Sequence, residues 1–195
     1  MKRASAVTAV LLALSFAAFE TIAAAQTTAG WTTVLDGSSL KGWNLVGNAN
    51  WTVKDGAVQA DSGAGFLVTP ISYADFELKA EIWVSDDANS GIFIRCQDPK
   101  AIGGSSAYEV NIYDKRPDPK YRTGAIVNVA EPASMINAGS RWNTLEISAR
   151  GSRLMVTLNG TRTVDVQDNK YAKGFIALQA SAGVVKFRNV QIRAL

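Results

Sequence analysis

The stretch "RLMVTLNGTRTVDV" (Arg153–Val166) decides the fold class. Leu154, Val156 and Leu158 alternate with polar neighbours, which is the two-residue period of a half-buried strand. Asn159-Gly160 follows, a dipeptide that tolerates the positive φ angles of a type I′ turn, and a second alternating run returns beyond it. "WTVKDGAVQA" (Trp51–Ala60) repeats the device around Asp55-Gly56. Between and after these hairpins lie "DFELKAEIWV", "GIFIRCQ", "AYEVNIYD", "GAIVNV", "WNTLEISAR", "GFIALQA" and "VVKFRNVQIRA". Together they predict about a dozen short strands and, beyond the N-terminal segment, no apolar helical period longer than about two turns. The chain reads as all-β, with two packed antiparallel sheets.

Residues 1–25 stand apart from this pattern. Lys2 and Arg3 precede an apolar run from Ala6 to Phe19, and Ala23-Ala24-Ala25 ends the segment. This is the layout of a secretory signal peptide cut before Gln26, and it implies an exported, periplasmic or secreted bacterial protein. A retained anchor is the alternative, but the run is short for a span and no second stretch of spanning length follows. Residues 26–195 then form a single domain with no linker or internal repeat. Losing Lys2, Arg3 and Glu20 changes the formal charge only from +3 to +2, too little and too dispersed for a nucleic-acid partner. Cys96 is the lone cysteine, read as a buried thiol. There is no histidine, so Ser-His-Asp chemistry and His-ligated zinc are excluded.

Three consecutive runs carry an unusual polar flank. In "DFELKAEIWV" the apolar side is Phe76, Leu78, Ala80 and Ile82; the other side is Glu77, Lys79, Glu81 and Trp83. In "GIFIRCQ", Ile92, Ile94 and Cys96 oppose Phe93, Arg95 and Gln97. In "SSAYEVNIYD" (Ser105–Asp114), Tyr108, Val110 and Ile112 oppose Glu109, Asn111 and Tyr113. If these flanks share one sheet face, Glu81, Arg95, Glu109 and Asn111 meet Trp83, Phe93 and Tyr113 there. Aromatic rings beside carboxylates, a guanidinium and an amide suit a saccharide, which offers apolar C–H patches and hydroxyls together. The loop "DKRPDPKYRTG" (Asp114–Gly124) is a candidate rim for such a face, or simply a solvated excursion.

"LDGSSLKGW" (Leu35–Trp43), "WTVKDGAV", "DFELKAEIWV", "NSGIFIR", "YEVNIYD", "TGAI", "RWNTLEI", "LNG" and "FRNVQI" occur in that order. In this series the chain closely resembles the 3-keto-disaccharide hydrolase domain family. The resemblance implies a concanavalin-like jelly-roll sandwich with its ligand on a concave sheet face. It also implies a carbohydrate partner, a 3-keto-glycoside, cleaved by base-initiated elimination and rehydration. On that reading Glu109 is the first choice for the base and Glu81 the second, and Arg95 stabilises the enolate. Asn111 donates a hydrogen bond, and Tyr113, Trp83 or Phe93 and the retained Gln179 contact substrate. Many relatives carry a histidine after the "LQ" of the penultimate strand, where this chain has "LQASAG" (Leu178–Gly183).

Two other readings compete. Glu109-x-Asn111-x-x-Asp114 is a faded form of the E-x-D-x-x-E of jelly-roll glycanases. Its ends lie about 16 Å apart along a strand, against the roughly 5 Å that retaining chemistry needs. A non-catalytic carbohydrate-binding module would keep the aromatic and polar face and tolerate the lost histidine. No cofactor is required by any of these readings; "SDDANS" (Ser85–Ser90) offers oxygens that suit calcium, yet such a turn is more often solvated.

Overall fold

The computed structural model describes residues 30–195; the expected signal segment lies outside them. Among the described residues the chain forms β1 (Thr32–Leu35), β2 (Asn44–Gly47), β3 (Thr52–Lys54), β4 (Ala57–Ala60), β5 (Gly65–Val68), β6 (Phe76–Val84) and β7 (Asn89–Cys96). Then come β8 (Tyr108–Ile112), a 3-10 turn (Pro119–Tyr121), β9 (Trp142–Arg150), β10 (Arg153–Leu158), β11 (Thr161–Gln167), β12 (Phe175–Ala182) and β13 (Val185–Ala194). Both expected hairpins form. Asp55 and Gly56 have φ of 52° and 71°, Asn159 and Gly160 have 50° and 81°, as a type I′ turn demands.

The strands divide into two antiparallel sheets. The larger has the spatial order β11-β10-β9-β6-β13-β4-β3, with β1 on β13; the smaller has the order β2-β5-β12-β7-β8. The result is a jelly-roll-like sandwich. Its core lies between the sheets, where Leu78, Ile82, Leu145, Ile147, Val156 and Phe187 meet Leu67, Ile92, Ile94, Val110, Ile112 and Leu178. Alternation puts these residues inside, and fully burying each such side chain contributes roughly 1.5–3 kcal/mol. Hydrophobic burial also occurs on the other side of the smaller sheet. Val68, Phe93, Cys96, Ala107 and Ala177 form a second cluster there, with Phe66 and Ile102 packed against it.

Cys96 belongs to that second cluster because the alternation of β7 breaks. Phe175 pairs with Cys96 and Ala177 with Phe93, so Ile94 and Arg95 together oppose one residue of β12. Arg95 has φ of 53°, the left-handed value of a bulged residue. The expected outward Arg95 and inward Cys96 therefore exchange sides. Cys96 is buried as read, and burial pushes its thiol up to about 12.

Candidate active site on the five-stranded sheet

Two rows of side chains cross the outward face of the smaller sheet, with neighbouring strands about 4.8 Å apart. Asn44, Val68, Ala177, Phe93 and Glu109 make one row; Val46, Phe66, Gln179, Gly91 and Asn111 make the next. Glu109, Asn111, Phe93 and Gln179 are thus brought together from three strands.

Gly91 brings no side chain to the second row, and Glu109 and Phe93 close over it. A β-carbon there would stand 3.5 Å from Glu109 Cγ, 3.5 Å from a ring carbon of Phe93 and 3.1 Å from the Val110 carbonyl oxygen. Gln179 stands beside Gly91 on one side and Asn111 on the other. Both carry a side-chain carbonyl oxygen that is shielded from solvent and accepts no hydrogen bond among the described residues. The amide nitrogen of Asn111 is spent, donating to the Tyr121 carbonyl, so its oxygen orientation is set by that bond. Unmet buried acceptors are costly, and a ligand offering hydroxyls removes the cost. Glu109 is half-buried, and burial raises its carboxyl pKa, while the positive charge of Arg116 opposes the rise. Among the described residues nothing hydrogen-bonds to its carboxylate, which leaves it free to take a proton.

The segment after β8 folds back along the free edge of that strand, where Gly124 N–H donates to the Asn111 carbonyl and Val127 N–H to the Glu109 carbonyl. The carboxylate of Asp114 accepts from Thr123 Oγ1 at 2.5 Å and from the backbone N–H groups of Ala138 and Gly139 at 2.9 Å. Asp118 caps the 3-10 turn by accepting from Lys120 N. Arg116 lies 6.0 Å from the Tyr113 ring centroid and 5.7 Å from that of Tyr121, and its backbone carbonyl accepts from Arg122 Nε at 3.0 Å. Tyr113 therefore stands in the rim with its ring turned to Arg116. Asp114 is fully engaged as a staple, so it does not pair with Glu109 as a second glycanase carboxylate.

Two residues expected on this face belong to the other sheet. Glu81 and Trp83 lie on β6, whose polar flank faces away from the site. Glu81 accepts from Asn189 Nδ2 and Arg188 Nε, both at 2.7 Å, and these bonds lower its pKa. Trp83 is covered by Lys186, whose Nζ is 4.7 Å from its ring centroid. A third, Arg95, is taken by the bulge. Its guanidinium is buried and donates to the carbonyls of Ala74, Gly151 and Tyr171 at 2.8–3.1 Å, with Asp75 at 3.2 Å. It ties three loops together and presents no donor to the Glu109 face. Phe93 is on the expected face but only 2% exposed, packed edge-on against Phe66 at 5.3 Å, so Phe66 carries the accessible ring.

Gly91, Phe66, Arg116 and Tyr121 were not singled out by sequence. Arg116 and Tyr121 lie inside the charged loop already marked as a rim, and Phe66 has the right parity in the run "GFLV" (Gly65–Val68). In the "SDDANS" turn, Asp87 accepts from Ser85 Oγ at 2.6 Å and Asp86 from Ser140 Oγ at 2.8 Å. Among the described residues no three Asp, Glu, His or Cys side chains converge as a metal site. No helix among them is long and apolar enough to cross a membrane.

Comparison with known proteins agrees with this architecture. The chain is 24% identical to a 3-keto-disaccharide hydrolase of Bacteroides thetaiotaomicron, covering 85% of this chain and 79% of that one. It is also 24% identical to levanase of Bacillus subtilis, covering 82% of this chain but spanning only 24% of the levanase. A carbohydrate-binding module of Bacillus subtilis shares the fold with a TM-score of 0.65 and 20% identity, over 84% of this chain and 99% of the module. A Parabacteroides distasonis protein provisionally named a glycosyl hydrolase gives 0.76 at 20% identity, over 85% and 94%. The matching family covers residues 30–193, nearly all that the structure describes, and the chain belongs to the 3-keto-alpha-glucoside-1,2-lyase-like domain family.

Proposed function

We propose that the protein cleaves 3-keto-glycosides on the outward face of its five-stranded sheet, with Glu109 as the base. The observation that carries this reading is Glu109, free of hydrogen-bond partners among the described residues and with a raised pKa, beside the two unmet acceptors of Asn111 and Gln179. A ketone at C3 of a sugar acidifies the neighbouring C2–H. Glu109 takes that proton, and the C–H electron pair passes into an enolate whose charge rests on the C3 oxygen. The ketone then re-forms as a C1=C2 double bond is made and the C1–O bond breaks, the leaving oxygen receiving the proton from Glu109. Water adds across C1=C2, its oxygen to C1 and a proton to C2, so the net reaction is hydrolysis. The route needs one base and a charge-stabilising group, and no histidine. Hydroxyls of the sugar donate to Gln179 and Asn111, and Phe66 offers its ring to the apolar side of the ligand. The lyase in the family's description corresponds to the elimination step alone, and the hydrolase among the relatives to elimination and hydration together.

The alternative is a saccharide-binding module without turnover. It is favoured by the levanase match, which covers only a quarter-length portion of that enzyme. Incubating the protein with a 3-keto-glucoside separates the two. Aglycone release that Glu109→Gln abolishes supports the enzyme; binding without release by either protein supports the module. Export to the periplasm or medium is part of this proposal. N-terminal sequencing of the protein recovered from its host tests it, with Gln26 as the expected first residue.

A further inference from the structure

With Arg95 committed to three loop carbonyls and Glu81 to the other sheet, elimination at Glu109 lacks a group for the enolate charge. We propose that Arg116 is that group, its guanidinium receiving the C3 oxygen of the substrate, and that the segment from Asp114 to Gly124 serves to aim it. The inference rests on the elimination reading above and assigns it a second catalytic residue.

Three observations carry it. First, the Arg116 guanidinium sits between two aromatic rings, Tyr113 and Tyr121, a setting that holds a guanidinium in place and leaves its in-plane donors free. It forms no ion pair among the described residues, whereas Arg150, Arg153, Arg162, Arg188 and Arg193 each have a carboxylate partner. Second, the loop that bears it is anchored at both ends. Tyr121 is tied by its carbonyl to Asn111 on the sheet, and Asp114 is bonded to Thr123, Ala138 and Gly139. The loop that carries the cation is therefore tethered, with little backbone to reorganise when charge develops beside it. Third, Tyr121, whose ring lies 5.7 Å from the Arg116 guanidinium, is bonded through its carbonyl to Asn111, two residues along β8 from Glu109. No salt bridge joins Arg116 to Glu109, although its charge opposes the rise of the Glu109 pKa. A carboxylate and a cation on neighbouring elements, each without a partner among the described residues, are the two groups that the elimination needs. One takes the proton while the other steadies the oxygen, and the planar fork matches a trigonal carbonyl becoming an enolate.

The test compares the whole protein with Arg116→Gln, Arg116→Lys and Glu109→Gln, using a 3-keto-glucoside and its parent glucoside. Arg116→Gln is expected to lower kcat at least about tenfold, with Arg116→Lys between it and wild type. In the Glu109→Gln background, calorimetry is expected to show preference for the ketone over the alcohol, and Arg116→Gln to erase it. The acid limb of the pH–rate profile is expected to move to higher pH in Arg116→Gln, because the charge that holds Glu109 down is gone. That shift reports only that Arg116 lies near Glu109; the ketone preference is the readout that a purely structural Arg116 would not move. Turnover and ketone preference retained in Arg116→Gln overturn the proposal while loss of turnover in Glu109→Gln keeps the elimination reading. A wild-type protein that neither cleaves nor prefers the ketone overturns both. One that prefers the ketone through Arg116 without cleaving it retains the oxygen-binding role and overturns the catalytic one.

Discussion

Glu109 concentrates the consequences at the scale of a residue. Burial raises its folded pKa above the unfolded value, so the folded protein holds that proton more tightly than the unfolded chain. Its contribution to stability is therefore neutral below the unfolded value of about 4.3 and turns unfavourable as pH rises through the folded pKa. Glu109→Gln, a mimic of the protonated form, is expected to raise Tm at neutral pH, and the gain should vanish in unfolding scans at about pH 4. Glu81 behaves oppositely, because hydrogen bonds from Asn189 and Arg188 lower its pKa. Glu81→Gln is expected to leave turnover within about twofold of wild type, since its flank faces away from the site. Gly91 supplies a further check. Gly91→Ala places a methyl group 3.5 Å from Glu109 Cγ and 3.1 Å from a backbone oxygen, and is expected to weaken saccharide binding by titration calorimetry with the fold intact.

Elements explain why the sequence was legible in some places and opaque in others. The alternation of β6 and β8 reads correctly residue by residue, and Asp55-Gly56 and Asn159-Gly160 announce their turns, because the strand period and the I′ turn are local properties. The grouping of polar flanks into one face is not local. β6 and β7 are joined by the short turn 85–88, which crosses from one sheet to the other, so adjacent runs turn their polar sides to opposite surfaces. Neither is the bulge in β7 visible, since an arginine at φ 53° follows from tertiary partners and not from its own preference. Those partners define a prediction. Arg95→Ala leaves the carbonyls of Ala74, Gly151 and Tyr171 without their donor, and is expected to cost about 2–4 kcal/mol in denaturant unfolding. In the β10–β11 hairpin, Gly160→Ala at φ 81° is expected to cost about 1 kcal/mol.

For the whole molecule, the two sheets divide the labour. The larger sheet carries an outward ladder of paired charges, Glu77 with Arg150 and Arg193, Lys79 with Glu146, Glu81 with Arg188, all satisfied within the protein. Among the described residues, the smaller sheet keeps a carboxylate and two amide oxygens without hydrogen-bond partners around Gly91, and the loop after β8 adds an unpaired guanidinium. Base-initiated elimination on that surface leaves a chemical record that direct attack at the anomeric carbon does not. The deciding measurement is cleavage of a 3-keto-glucoside in D2O, stopped early and read by proton NMR with a parallel incubation lacking protein. The account predicts product carrying solvent deuterium at C2, formed by wild type and not by Glu109→Gln. Product released at the wild-type rate with its C2 proton retained would contradict it.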